Sequence, residues 1–386
     1  MNQRFQSLDV FRGATVALMI LVNNPGSWSF LYPPLGHAAW HGCTPTDLVF
    51  PFFLFAAGNA LAIVLPGLRQ GSAAQFWGKV GQRTLLIFLI GLLLNWSPFV
   101  RWGADGELVL RSWESLRIMG VLQRIALGWG AAAVIVWIAG RRGAIWGTAL
   151  LLLGYWAACH LFGEAADPYS LPGFFGTSLD RAVLGVAHLY KGEGVPFDPE
   201  GVASTPPAIA QVLLGYLVGE LIVRSRLDAA LVARLFVAAC VALLLAYAWQ
   251  LEMPLNKKIW SSSYVLLTTG LAMISLALLV YLLDVQGKRD GCLMAWVPFC
   301  EVFGKNALFV FVMSGFVPRV LGLLRWSDGV DGEGKPRWMS PLPWLYRTVF
   351  ASIGTDPRIG SLLFAVANLA AYWLLARWLD RRRTHI

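Results

Sequence analysis

A chain of 386 residues that is 57% hydrophobic and only 14% charged, with a mean hydropathy of +0.60, falls outside the range of soluble globular domains, where about 25% of residues are charged. Its net charge of +9 is spread over short segments between apolar runs, which argues against nucleic acid as a partner and for anionic lipid headgroups. Five cysteines, Cys43, Cys159, Cys240, Cys292 and Cys300, contain no CxxC pair and support neither a disulfide framework nor a zinc site.

Runs of about 20 apolar residues, enough to cross a hydrocarbon core as helix, recur from end to end. The predicted fold is all-α: a polytopic integral membrane bundle of about ten transmembrane helices, near 10–23, 46–66, 83–100, 117–139, 144–162, 203–223, 229–249, 259–283, 301–322 and 360–378. Residues 1–386 read as one transmembrane domain. The first run is followed by Asn23, Asn24 and Pro25, not by a small-residue cleavage site, so a retained helix is expected there.

Orientation follows from lysine and arginine. With the N-terminus inside, one face collects Arg4, Arg12, Arg69, Lys79, Arg83, Arg141, Arg142, Arg224, Arg226, Arg234, Lys288, Arg289, Arg377 and Arg381 to Arg383, opposed by Asp9, Asp228, Asp284, Asp290 and Asp380. Both termini are therefore expected in the cytoplasm. The other face receives a long extracytoplasmic loop, 163–202, which is acidic, and a second loop, 323–358. Within the latter, Pro341 to Ile353 is apolar but short, and reads as an interfacial or re-entrant helix.

Polar groups inside apolar runs are the natural candidates for function, because each costs free energy unless paired or wetted. Asp9 and Arg12 stand three residues apart at the start of the first span, either as a snorkelling ion pair or with Arg12 facing an anionic ligand. The stretch LGHAAWHGCTPTDLVFP, Leu35 to Pro51, precedes and opens the second span. Thr44, Pro45 and Asp47 fit the cap, first and third positions of a helix start, so Asp47 reads as a cap before it reads as a catalyst. Pro51 should bend the helix near its outer end.

Two histidines within five residues, His37 and His41, flank Trp40 there. A neutral imidazole accepts a proton near neutral pH, which makes His37 a candidate general base, with His41 as substitute. His37, His41 and Asp47 lack a further ligand for a metal, and nothing nearby lowers the pKa of Cys43 for a covalent role.

Farther along, Arg117, Gln123 and Arg124 open the fourth span, with Glu220 and Glu301 as conceivable partners for Arg124. Lys305 and Asn306 lie in the ninth. Together these residues suggest a polar cavity lined with positive charge, suited to a phosphorylated or carboxylated molecule. Asn256, Lys257, Trp260 and Ser262, introducing the eighth span, combine hydroxyl, amide and aromatic groups as a sugar site does, although Trp260 equally fits an interface anchor. Gly215 and Gly219 form one GxxxG, a helix-packing motif.

Several of these pieces carry a resemblance. SLDVFRG (Ser7 to Gly13), LVNNPG (Leu21 to Gly26), HAAWHGCTPTDLVFPFFLFAAG (His37 to Gly58), RIMGVLQRIAL (Arg117 to Leu127), HLY with FDPEG (His188 to Tyr190, Phe197 to Gly201) and PLNKKIWSSSYV (Pro254 to Val265) are similar, in order, to the heparan-alpha-glucosaminide N-acetyltransferase family.

The resemblance implies a multi-pass acetyltransferase of the bacterial inner membrane. Such an enzyme takes acetyl-CoA from the cytoplasmic side and acetylates a glucosamine amino group, on a free amino sugar or a glucosamine-terminated saccharide, on the other. His37 matches the family's active-site histidine and Asn23 an asparagine near the reacting acetyl group. On the charge and polarity of the residues, and not on the resemblance, Asp9, Arg12, Arg117, Gln123, Arg124, Lys305 and Asn306 are the candidates for holding CoA, and Trp40, Asn256, Lys257, Trp260 and Ser262 for the sugar. No metal is expected, and a homodimer is possible. An O-acetyltransferase of envelope polysaccharide and a secondary transporter of an amino sugar are the alternatives.

Overall fold

The computed structural model describes residues 5–103, 105–287 and 296–382. Arg4, Lys288, Arg289, Asp290, Cys292 and Arg383 lie outside the described residues. The chain is predominantly helical: α1 (Gln6–Asn23), α2 (Val49–Arg69), α3 (Ala73–Trp96), α4 (Val121–Phe162), α5 (Phe175–Leu184), α6 (Thr205–Arg224), α7 (Ala229–Trp249), α8 (Ser262–Leu279), α9 (Val297–Lys305), α10 (Ala307–Leu321), α11 (Pro341–Leu345) and α12 (Pro357–Arg381).

Among the described residues, seven helices are long and apolar enough to cross a membrane, or eight if the bent pair α9 and α10, which turn through 82°, forms one span. Two differences separate this count from the expected ten. The 42 residues of α4 are two helices meeting at a kink at Gly140, whose φ of 60° a side chain would resist, so the break falls between the spans expected at 117–139 and 144–162, which the count takes together. The other is α1, an 18-residue helix that holds Asp9 and Arg12.

Two short antiparallel hairpins, Val100–Trp102 with Leu108–Leu110 and Trp326–Val330 with Pro336–Met339, were not expected from the sequence. Both lie in loops, and Trp102 of the first donates to the Leu323 carbonyl, three residues before the second, at 3.1 Å.

The start of α2 is built locally. Residues Pro45–Leu48 form a 3-10 turn led by Thr44, and Asp47 accepts from the Thr44 backbone N–H at 3.0 Å. Pro51 then falls in the first turn of α2, where a proline sacrifices little, and the irregularity at this end is the 3-10 turn instead of a kink.

Where α6 meets α2, backbone approaches backbone. A side chain on Gly58 would overlap the Val212 carbonyl, and one on Gly215 would overlap that of Phe55. The GxxxG of α6 is thus used inside the chain. Opposite this, Gly13 of α1 meets the Cys300 carbonyl of α9 in the same way.

Candidate active site

The helix cap at Asp47 carries a second duty. While Oδ2 of this fully buried carboxylate accepts from the Thr44 N–H and hydroxyl (both 3.0 Å) and from the Ala38 N–H (3.1 Å), Oδ1 lies 2.7 Å from Nδ1 of His37. A carboxylate only accepts, so His37 donates from Nδ1 and presents the Nε2 lone pair elsewhere. Lys257, 220 residues away in sequence, brings Nζ to 3.0 Å from His37 Nδ1 and 3.5 Å from Nε2, and to 3.4 Å from Asp47 Oδ1. Near-equal distances to the two ring nitrogens put the ammonium against the ring face, off the axis of either lone pair.

These groups open onto a cavity of about 350 Å³. Its polar end holds Asn23, His37, Trp40, Asp47, Arg117, Tyr190, Glu193, Glu200, Lys257 and Lys258. Its other wall is apolar: Met19 of α1, Val49 and Phe53 of α2, Val121 of α4 and Phe311 of α10. Volume and mixed lining are those of a small-molecule site. Burial pushes the Lys257 ammonium below the ordinary lysine range, while Asp47 and Glu200 pull the other way.

The long loop 163–202 closes over the polar end and is pinned there by charge. Arg117 binds Asp198 through Nε (2.9 Å) and Nη2 (2.6 Å) and Glu200 through Nη2 (2.5 Å), and its guanidinium stacks 4.7 Å from the Tyr190 ring. Lys258 reaches Glu193 at 2.5 Å. The candidates drawn from sequence omit Tyr190, Glu193 and Glu200; the available signal was the HLY and FDPEG pieces, which contain Tyr190 and Glu200 and flank Glu193.

The remaining candidates separate. Asn23, the last residue of α1, lines the cavity, and Trp40 lines it with its indole N–H donating to the Tyr169 carbonyl at 2.9 Å. His41 does not line it; its ring Nδ1 lies 3.5 Å from Asn256 Nδ2.

Three residues expected to meet sugar are enclosed behind the cavity. Asn256 spends its side-chain oxygen on the backbone N–H groups of Lys258 (2.7 Å) and Ile259 (3.0 Å). Ser262 donates to the Leu152 carbonyl at 2.8 Å, and Trp260 is 1% exposed, packed on Phe50 and Tyr264. None has a free face for a ligand.

The cations divide as well. Gln123 and Arg124 are fully buried, Gln123 against Gly91 of α3 and Arg124 beneath the end of the long loop, where it donates to Gly201 O and Ser204 Oγ and lies 5.2 Å from the Trp260 ring. Its partners are therefore loop oxygens, not the expected Glu220 or Glu301, which engage Arg224 (2.9 Å) and Gln6 (2.9 Å).

Arg12 pairs with Asp9 at 3.1 Å near the opposite end of α1, eleven residues from Asn23 and so about 16 Å along the helix axis. Arg83 of α3 stands close enough for the two positive charges to repel, its guanidinium 4.5 Å from the Trp129 ring. Lys305 bridges α9 to α12 through Asp380 at 2.8 Å, and buried Asn306 occupies the α9–α10 break. Among the described residues no group of three or more His, Cys, Asp or Glu side chains gathers to hold a metal.

Fold and site together define a multi-pass helical membrane protein with a histidine, oriented by a buried carboxylate, at the polar end of a cavity. No family model matches the chain. It is similar to the heparan-alpha-glucosaminide N-acetyltransferase of Homo sapiens, with 28% identity over 80% of this chain and 52% of the human protein. The Mus musculus protein of the same name is also 28% identical, over 80% of this chain and 53% of the mouse protein. The chain spans about half the length of these curated relatives, and the likeness supports the family resemblance carried by its motifs.

Proposed function

We propose that the chain is a transmembrane acetyltransferase of the bacterial inner membrane, moving an acetyl group from cytoplasmic acetyl-CoA to the amino group of a glucosamine-type sugar on the extracytoplasmic side, with His37 as general base. One observation carries this reading: a single cavity joins the His37–Asp47 pair and Asn23 to an apolar wall formed by α1, α2, α4 and α10. The names of the relatives support the reaction class, and the distribution of lysine and arginine supports the sidedness.

The residues fit the co-substrate's chemistry. CoA is a polyanion with a long thin arm; Arg12 and Arg83 supply positive charge toward the inner end of α1, and Met19, Val49, Phe53 and Phe311 offer the arm a dry wall. Arg117 and Arg124, expected to hold CoA, bind oxygens of the long loop and its end instead, and Gln123 packs against Gly91 of α3.

Transfer forms a C–N bond and breaks the thioester C–S bond. Nε2 of His37 takes the proton that the attacking amine loses and returns it to the departing thiolate, so charge balances over the step. The Asp47 carboxylate holds the ring and stabilises the imidazolium while it exists. To the Asn23 amide, on the wall of the same cavity, we assign donation to the carbonyl oxygen as charge builds on it, a contribution of about 10²–10³ in rate for donors of this kind. Direct attack by the amine in a ternary complex requires nothing further from the protein.

Single-turnover acetyl transfer to glucosamine by folded protein in detergent tests the assignment. His37→Ala should lose about 10²–10⁴ of the rate, the range that a positioned base contributes, and His41→Ala should keep most of it. A His37 variant with nearly full rate refutes the base. Matched amino and hydroxy sugars as acceptors decide between N- and O-acetylation, and label retained on protein without acceptor would reveal a covalent acetyl-imidazole. Sugar uptake into vesicles without acetyl-CoA would instead mark a transporter.

A further inference from the structure

Lys257 is the cation nearest His37, and its position is unlike that of a sugar ligand. Its ammonium lies against the imidazole and shares Asp47 Oδ1 with it, at 3.4 Å against 2.7 Å for His37 Nδ1. The charged groups facing His37 come from four places: Asp47 at the start of α2, Lys257 and Lys258 before α8, Arg117 before α4, and Glu193 and Glu200 on the long loop. Arg117 pairs with both Glu200 and Asp198, an excess of one negative charge held away from the ring, and Lys258 pairs with Glu193. Asp47 and Lys257 are the two charges within hydrogen-bond distance of the ring itself.

Their effects oppose. A carboxylate on Nδ1 favours the imidazolium, whereas an ammonium 3.0–3.5 Å from both ring nitrogens disfavours it. Asp47 is also drawn on by the Thr44 and Ala38 donors, which weakens its pull on the proton.

We propose that Lys257 is a positioning residue that offsets the Asp47 charge and keeps His37 an uncharged imidazole, so that Nε2 offers a lone pair when the acceptor amine arrives. Catalytic use of that lone pair rests on His37 being the base, as proposed above. The charge balance itself does not.

The experiment follows diethyl pyrocarbonate modification of His37, read by mass spectrometry of its peptide across pH, on full-length wild-type, Lys257→Met and Lys257→Arg proteins in detergent. Of the two charge states of histidine the reagent attacks the neutral one, so the pH of half-maximal reactivity in the His37 peptide reports the charge on the ring. Removing a positive charge at this distance should raise that pH by about one unit in Lys257→Met, with Lys257→Arg close to wild type. The acid limb of kcat/KM for glucosamine should move with it. Asp47 keeps its Ala38, Thr44 and His37 donors in both variants, so no buried carboxylate is stranded.

A half-point unmoved in Lys257→Met overturns the proposal, as does a rise in the glucosamine KM with the acid limb unchanged. A shifted half-point in a protein that transfers no acetyl group would uphold the charge balance and defeat the acetyltransferase reading.

Discussion

His37 and His41 are four residues apart and chemically identical, yet only one is held by a buried carboxylate and faces the cavity. Asp47 reads from sequence as a helix cap, and it is one; with its second oxygen it also holds the imidazole, so one carboxylate serves both contacts. Cys43 sits beside them without the environment of a nucleophile. Burial, and then the Asp47 charge, push its thiol up to about 12, with Lys257 opposing. The thiol therefore stays protonated through neutral pH and gains thiolate only as pH climbs toward that value. Iodoacetamide labelling of the Cys43 peptide at pH 8, followed by mass spectrometry, should be negligible, and Cys43→Ala should retain acetyl transfer; rapid labelling at pH 8 would contradict the assigned environment.

Among the elements, the α2–α6 contact shows why a GxxxG is poor evidence for self-association. Gly215 and Gly219 let α6 approach α2 until backbone meets backbone, with Gly58 making the reciprocal approach, so this face is already occupied. Gly215→Leu must push α6 away from the Phe55 carbonyl. It is expected to destabilise the fold by about 1–3 kcal/mol, the usual range for overpacking, visible as a lower midpoint in thermal unfolding. Cross-linked oligomer patterns in the membrane should not change. A variant with unaltered unfolding but altered cross-linking would place the motif at an interface between copies instead.

For the whole molecule, the decisive arrangement is that the long loop folds back over the polar end of the cavity, tied by Arg117 to Asp198 and Glu200. The proposed sidedness puts that loop outside the cytoplasm and the segment between α6 and α7 inside. Lys191→Cys and Arg226→Cys, both at exposed positions, discriminate. In right-side-out vesicles a membrane-impermeant maleimide should label the first at once and the second only after permeabilisation, above the background of the native cysteines. The reverse pattern would invert the protein and place His37 in the cytoplasm.

The sequence by itself determined what depends on composition and on neighbours along the chain. A bilayer leaves backbone polar groups no partner but each other, so long apolar runs had to become helices. Thr44, Pro45 and Asp47 could likewise be read as a helix start, because a cap involves residues a turn apart.

Tertiary structure decided everything that joins distant segments. Lys257 meets His37 across 220 residues, Arg124 finds Ser204 across 80, and Trp260, free in sequence to anchor at an interface or to stack on sugar, is buried against Phe50 and Tyr264. Residue type alone does not specify such partners. They follow from which helices pack together, and a charged or aromatic side chain acquires its role only when that packing sets its solvent, its neighbours and the face it has left.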